Sequence, residues 1–301
     1  MGYIWEMVTA VKIIDGKRIS EDFCYQMRLQ VEELKAIRGI VPRLALINAS
    51  ADPASEIYIA RKEKFATMTG IISDTYRLPS DSSESEIAKL IDKLNKDDLV
   101  HAILLQSPLS PGLDFRKMVN LIDPNKDVDG LTTINQGHMF AGEPCVTPCT
   151  PLGVLHLIRS VHENINGLHA VVLGRSTIVG RPLMSLLLNS NYSVTGLHSK
   201  SQNVAEICRT ADILISAIGH PKFVVKDFVK PGAIVIDVGI NRIVAPDGST
   251  KIVGDVDFDE VSKIAGAITP VPNGVGPMTV AYLIHNTLEL CQSHKQSIVS
   301  P

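Results

Sequence analysis

The sequence predicts a two-domain α/β protein, on three observations. Its 301 residues are about twice the common size of a single domain. Short apolar runs alternate with longer amphipathic stretches almost throughout, which is the pattern of β-α units on a largely parallel sheet. From Asp123 to Pro151 that periodicity fails while Pro, Gly, Asn and Cys accumulate, and the alternation then starts afresh. The expected division is residues 1–147 and 148–277, with a closing helix over 278–301 that packs back on the first domain.

Elements follow in order from the pattern. ISEDFCYQMRLQVEELKAIRG reads as a first helix, starting after Ser20. RLALIN and HAILLQ read as buried strands. The stretches between them, ASEIYIARKEKFATMTG and SESEIAKLIDKLNKD, read as helices, the first with Ser55 as N-cap and an end at Gly70. The aperiodic segment 123–151 reads as a functional loop. Beyond it, HAVVLG, SVTGLHS, DILISAIG, AIVIDVG and AITPVP read as strands, and PMTVAYLIHNTLELCQ as a helix opened near Pro277.

Composition narrows the function. Hydrophobic residues make up 45% and charged residues 20%, with no low-complexity tract, so each half has the means to bury a core. A net charge of −3 with scattered Lys and Arg lacks the field that holds a polyphosphate backbone, so no nucleic-acid partner is expected. The five cysteines, Cys24, Cys145, Cys149, Cys208 and Cys291, form no disulfide framework and suit a reducing compartment. Cys145 and Cys149 with His138 and His156 make a poor zinc set, because three residues separate the cysteines in a proline-rich context. The start, MGYIWEMVTA, has no basic export signal, and Glu6 spoils a myristoylation pattern. With no apolar run of membrane-spanning length, a cytoplasmic location and no membrane partner are expected.

HAVVLGRSTIVGRPLMSLLL places a glycine turn between a strand and a helix, the context of a Rossmann-type dinucleotide loop. Gly174 and Gly180 fit the outer glycines; Ser176 stands where a second glycine is usual, and the spacing is one longer. A plain packing turn would read the same way. The next strand ends in His198-Ser199-Lys200, where an NAD enzyme carries an acid for the ribose hydroxyls. A hydroxyl and cations there, with the planar fork of Arg175 nearby, accept a 2′-phosphate instead, so NADP is the expected cofactor. Small or polar residues also end the other strands, at Gly219, at Gly239 to Asn241 and around Gly274 and Gly276, where ligands of open parallel sheets bind.

In the first half, a helical wheel puts Tyr58, Ile59, Lys62, Phe65 and Ala66 on one arc, making Lys62 the charge on the apolar side. A lysine shielded there would have a lowered pKa and exchange protons near neutrality. Alternatively its stem covers apolar surface while the ammonium reaches solvent. Gln106 ends a strand before Ser107-Pro108 and either projects from the strand tip or stabilises the loop. Asn125, Asp127, Asp129 and Gly130 imitate the start of a calcium loop, but Gln136 stands where it needs Glu. Asp129 therefore either makes an Asx turn or binds the donor nitrogens of a heterocycle.

Nine blocks, in order, carry a resemblance that covers nearly the whole chain: ASEIYIARK (54–62), ILLQSPL (103–109), DPNKDVDG (123–130), PCTPLG (148–153), GRSTIVGRP (174–182), HSK (198–200), DVGIN (237–241), GDV (254–256) and PVPNGVGPMT (270–279). The sequence resembles the bifunctional methylenetetrahydrofolate dehydrogenase/methenyltetrahydrofolate cyclohydrolase family. That resemblance implies a folate-binding catalytic domain and an NADP-binding Rossmann domain with a folate cleft, a homodimer, tetrahydrofolate one-carbon derivatives as substrates, no metal, and a place in one-carbon metabolism and purine biosynthesis. It implies Lys62 as the catalytic lysine, Tyr58 and Gln106 beside it, and Asp129 as the pterin-binding aspartate. Leu105, Ser107, Pro272, Asn273, Gly274, Val275 and Gly276 fall on the substrate side. Gly174, Arg175, Ser176, Ser199 and Ile240 fall on the cofactor side.

Four positions depart from the family pattern. Ser107 and Ser110 replace the Leu and Pro of a QLPLP segment, Leu152 replaces Lys or Arg, and Asn273 replaces Gly. Two other readings share the broad architecture: an NADP dehydrogenase of another small substrate, of the shikimate type, and a non-enzymatic nucleotide sensor. The latter has no use for Lys62, Gln106 and Asp129 together.

Overall fold

A computed structural model describes residues 11–50, 52–162, 166–244 and 248–294. The N-terminal ten residues, where no export signal is legible, and 295–301, the end of the expected closing helix, lie outside the described residues. The elements open with β1 (Lys12–Ile13), α1 (Gly16–Arg38), β2 (Arg43–Asn48), α2 (Pro53–Thr69), β3 (Ile72–Arg77), α3 (Glu84–Asn95) and β4 (Ala102–Leu105). Then come α4 (Phe115–Val119), α5 (Thr133–Ala141), α6 (Cys149–Arg159), β5 (His169–Leu173), α7 (Gly180–Asn189), β6 (Ser193–Leu197), α8 (Val204–Cys208) and β7 (Ile213–Ser216). The chain closes with β8 (Ile234–Asp237), β9 (Asn241–Val244), β10 (Thr250–Val253), α9 (Phe258–Val261), β11 (Ala267–Ile268) and α10 (Val275–His294). Two compact units result: one holds the chain up to Lys17 and Val154–Gly276, the other Arg18–Gly153 and everything from Pro277 on.

The second of these is built on a parallel sheet in the order β3-β2-β4. Alternate side chains of its buried strands feed two cores. Leu44, Leu46, Ala102 and Leu104 pack with α1, α2 and α10, including Leu283, Ile284 and Leu288. Ala45, Ile47, Ile103 and Leu105 pack with Ile87, Ile91 and Met118 of α3 and α4. Burial on both faces is why RLALIN and AILL read as unbroken apolar runs. The closing helix thus packs on this unit, as expected.

The other unit holds a six-stranded, all-parallel sheet in the order β1-β11-β8-β7-β5-β6. After β5 the chain first adds β6 on one side and then returns to add β7 on the other, so the strand order reverses at β5. That reversal creates the crevice where Rossmann-type sheets bind nucleotides. β9 and β10 form a separate antiparallel pair.

Several boundaries differ from those the sequence suggests. β1 pairs with β11, placing the chain's described start in the six-stranded unit rather than in the domain drawn over 1–147. α1 starts at Gly16, not after Ser20, because the Lys17 N–H is satisfied by the Asn273 carbonyl (3.0 Å) and Ser20 is buried inside the helix. α2 starts at Pro53, so Ser55 is not an N-cap. The segment 123–151 is not loop throughout: Thr132 caps α5 by accepting from the Asn135 N–H, and Gly142 ends it in the left-handed region at φ 74°. α10 opens at Val275 rather than at Pro277. Among the described residues, no helix is long and apolar enough to cross a membrane.

Candidate functional sites

In the three-stranded unit, α2 carries Lys62 toward the carboxyl end of β4. Its Nζ donates to Oε1 of Gln106 at 2.8 Å. Gln106 is held on three sides: its backbone N–H continues the ladder onto the Ile47 carbonyl (2.8 Å), its Nε2 donates to the Ser107 carbonyl (2.6 Å), and only 6% of the residue is exposed. The amide's other end is thereby committed, and Oε1 is the end left to face the lysine. Burial lowers the Lys62 pKa, opposed by the charge of Asp129. Lys62 is half-buried, and its bond to the buried Gln106 amide opposes the alternative of an ammonium directed only to solvent. Tyr58, one turn earlier, lies at the outer border of the same arc and is 38% exposed.

Asp129 is set by its neighbours in sequence. Lys126 buries its ammonium against three carbonyls, those of Leu94 (3.1 Å), Asn95 (2.8 Å) and Asp97 (2.8 Å). Asp127 turns inward to accept from the Thr132 N–H and the Asn135 amide. The strand-like path between them exchanges backbone bonds with Ile103 of β4. At Gly130 (φ 61°) a Cβ would lie 2.4 Å from the Val146 carbonyl oxygen. These fixtures leave the half-buried Asp129 beside Cys149, whose thiol is within bonding reach of its carboxylate and of the Val128 carbonyl (3.4 Å). Burial, then Asp129, push the Cys149 thiol pKa well up, so it stays a neutral thiol.

Two residues of this unit carry no chemical signal in the sequence. Cys149 draws notice there only as a poor zinc ligand, yet it is buried between Asp129 and the amide of Asn286 (3.5 Å). Ser55, one turn before Ile59, is buried with its hydroxyl unpaired. Two of the departures have structural reasons. Ser110 donates both its N–H (2.9 Å) and its hydroxyl (3.0 Å) to the Ala49 carbonyl, bonds a proline could not both make. Asn273 sits at φ 80°, a conformation Asn tolerates better than other residues with a side chain.

In the six-stranded unit, Gly174 follows β5 at φ 116°, and a Cβ on it would lie 2.2 Å from the Ala217 carbonyl oxygen after β7. A Cβ on Gly180 would in turn meet the Gly174 carbonyl at 2.2 Å. Both glycines are therefore required for the turn to close over the switch point. The Ser176 hydroxyl accepts from the N–H groups of Val179 and Gly180 (both 3.2 Å), doing at the α7 N-terminus the capping a glycine could not. Leu173 and Leu197 are paired in register, so Arg175 and Ser199 each lie two residues past the ends of adjacent strands, both exposed. The end of β6 carries His198, Ser199 and Lys200 and no carboxylate, a donor set that fits a 2′-phosphate. Ile240, 48% exposed, follows β8. Pro272 to Gly274 lead into α10, which Val275 and Gly276 begin; a Cβ on Gly274 would lie 2.4 Å from the Pro270 carbonyl.

A dinucleotide-type crevice in one unit, joined in the same chain to a second α/β unit that buries a lysine against a glutamine, is the equipment of a pyridine-nucleotide oxidoreductase that also moves protons. The chain belongs to the tetrahydrofolate dehydrogenase/cyclohydrolase family: the family's catalytic domain matches residues 14–129 and its NAD(P)-binding domain residues 148–295. A bifunctional protein FolD of Bradyrhizobium sp. strain BTAi1 is 50% identical over 277 residues, 92% of this chain and 94% of that protein. The bifunctional FolD enzyme of Campylobacter jejuni superposes with a TM-score of 0.90 at 41% identity, covering 94% of this chain and 99% of its own. The Trypanosoma brucei dehydrogenase-cyclohydrolase, solved in complex with NADP cofactor and an inhibitor, gives 0.90 at 34% identity over 96% and 99%. Membership decides against the shikimate-type and sensor readings: the chain is a tetrahydrofolate dehydrogenase and cyclohydrolase with an NAD(P)-binding unit.

Proposed function

We propose that the protein oxidises 5,10-methylenetetrahydrofolate to the 5,10-methenyl cation with NADP and hydrolyses that cation to 10-formyltetrahydrofolate. The observation that carries this reading is the 2.8 Å bond from a desolvated Lys62 ammonium to a fixed Gln106, with Asp129 beside it. NADP, when bound, accepts the hydride. Gly174, Arg175 and Ser176 would hold it at the turn after β5, Ser199 with Lys200 would receive the 2′-phosphate, and Ile240 would serve the nicotinamide side. Asp129 binds the donor nitrogens of the pterin, Tyr58 positions the ring, and Leu105, Ser107 and Pro272 to Gly276 complete the folate contacts.

Hydrolysis needs a proton removed from the attacking water and a path for it to leave. Lys62, whose pKa burial lowers, takes that proton in its neutral form, while Gln106 holds the amine in one orientation. The carboxamide cannot compete for the proton, so it orients without titrating. No residue in this scheme calls for a metal.

The enzyme acts as a cytoplasmic homodimer on free folate derivatives. The location is supported by five cysteines that form no disulfide, four of them buried, a usage that suits a reducing compartment. The test is spectrophotometric: methenyl formation from methylenetetrahydrofolate with NADP against NAD, and decay of added methenyltetrahydrofolate without nucleotide. The proposal requires both reactions, with NADP preferred.

A further inference from the structure

In the six-stranded unit lies a buried carboxylate that neither the chemistry above nor the cofactor contacts use. Asp255, 0% exposed, collects five donors. Its Oδ2 accepts from the Ser216 hydroxyl (3.2 Å) and the N–H groups of Ile218 (2.8 Å) and Gly219 (3.2 Å). Its Oδ1 accepts from the His220 N–H (2.9 Å) and the Asn241 amide (2.9 Å). Three consecutive backbone N–H groups after β7 thus turn inward onto one side chain, and the same side chain holds the segment that follows β8.

Both tied segments belong to the crevice. The first begins at Ala217, whose carbonyl closes against Gly174, and the second begins at Ile240. The fit leaves no slack: a Cβ on Gly239 would lie 2.2 Å from Oδ1 of Asp255. Asp255 is itself held by Asp237, whose Oδ1 accepts from the Asp255 N–H (3.0 Å) and whose Oδ2 accepts from the Val256 N–H (2.9 Å). A buried ion with five donors is satisfied only in one loop arrangement, because losing any donor exposes its charge to an apolar surround.

We propose that Asp255 is a positioning residue for the cofactor, locking the loop after β7 and the Ile240–Asn241 segment into the shape that receives the dinucleotide. This rests on the cofactor-side reading above. The experiment uses the full chain and titrates NADP binding by calorimetry, beside methenyltetrahydrofolate hydrolysis measured without nucleotide. Asp255→Asn replaces one acceptor with a donor aimed at N–H groups, and should raise the NADP Kd about 10- to 100-fold while hydrolysis stays within about twofold. Asn241→Ala keeps the carboxylate and removes a single tie; it should raise the Kd about 3- to 10-fold, and it carries the test should Asp255→Asn not fold. Asp255→Glu, one methylene longer, should not rescue binding.

Unchanged NADP binding in Asn241→Ala, or equal losses of binding and hydrolysis in a folded Asp255→Asn, overturns the inference. Ser199→Asp serves as the reference. If it weakens NADP while the Asp255 and Asn241 variants do not, the positioning role alone fails; if it too is silent, the cofactor-side reading fails with it.

Discussion

Replacing Lys62 with methionine tests the separation of two chemistries within one protein. The methionine stem fills nearly the volume of the lysine stem, so the packing between Ile59 and Ala66, both fully buried, is kept. What is lost is one charge-assisted bond, the 2.8 Å contact to Gln106, leaving a buried Oε1 without its donor. That loss costs about 1–3 kcal/mol. Removing an ammonium that burial already disfavours offsets part of it. The fold should therefore survive, with unfolding free energy changed by no more than about 2 kcal/mol. Methenyltetrahydrofolate hydrolysis should fall by about 10² to 10⁴, the range for a lost general acid-base. The dehydrogenase rate, which needs alignment rather than a proton carrier, should fall by less than about tenfold. The pH profile adds a second readout: wild-type hydrolysis should show a limb below the value of about 10.4 for a free lysine, absent from the variant. Both rates are to be measured on one preparation at saturating substrate, with the NADP Kd as a control. Undiminished hydrolysis by a folded Lys62→Met chain would remove the lysine from the mechanism.

Three further outcomes are expected. Ser199→Asp places a charge against the 2′-phosphate and should raise the NADP Kd about 10- to 100-fold while barely changing that for NAD; an unchanged NADP/NAD ratio would refute the assignment of this strand end. Asp129→Ala should raise KM for both folate reactions with little change in NADP binding, and a fall confined to kcat would make Asp129 a proton carrier instead. Burial, with the charge of Asp255 and against three backbone N–H bonds, holds the Asp237 carboxyl at about 7, so between roughly pH 4 and 7 the native state keeps a proton the unfolded chain has lost. Its stabilising contribution, up to about 4 kcal/mol, is complete below pH 4 and gone above pH 7; urea unfolding should lose this pH slope in Asp237→Asn, and identical slopes would refute it.

The fold was legible where one periodicity ruled a segment. RLALIN and HAILLQ are apolar at successive positions because both faces of the three-stranded sheet are covered, and the alternation of such runs with amphipathic helices requires a parallel sheet. What escaped was structure held by partners distant in sequence. β3, ISDTYR, is a half-exposed edge strand with polar residues at four of its six positions, three of them consecutive, so it lacks the apolar run that marked its neighbours. β1 is two exposed residues whose strand state exists only through pairing with β11. α5 hides in an aperiodic segment because its buried positions include Asn135, which is spent on Asp127 and the Pro124 carbonyl rather than on an apolar face.

The candidate sites divide along the same physical line. Gly174, Ser199 and Lys62 announce themselves because each is the wrong residue for its surroundings unless a ligand or a reaction explains it: a glycine in a strand-helix turn, a hydroxyl where an acid is usual, a cation on an apolar arc. Asp237 and Asp255 do not, since an aspartate next to a glycine, as in Gly254-Asp255, or two residues before one, as in Asp237-Val238-Gly239, is an ordinary turn in sequence. Their meaning depends on burial and on donors gathered from three separate segments, Ser216 to His220, Gly239 to Asn241 and Asp255 to Val256, while a fourth, at Thr269, accepts the Asp237 N–H at 2.8 Å. A group that touches ligand must keep its chemistry on display, whereas a group that shapes the pocket from beneath works only when every one of its bonds is turned inward. The supporting layer of this crevice is therefore hidden from sequence reasoning by the same closure that makes it effective.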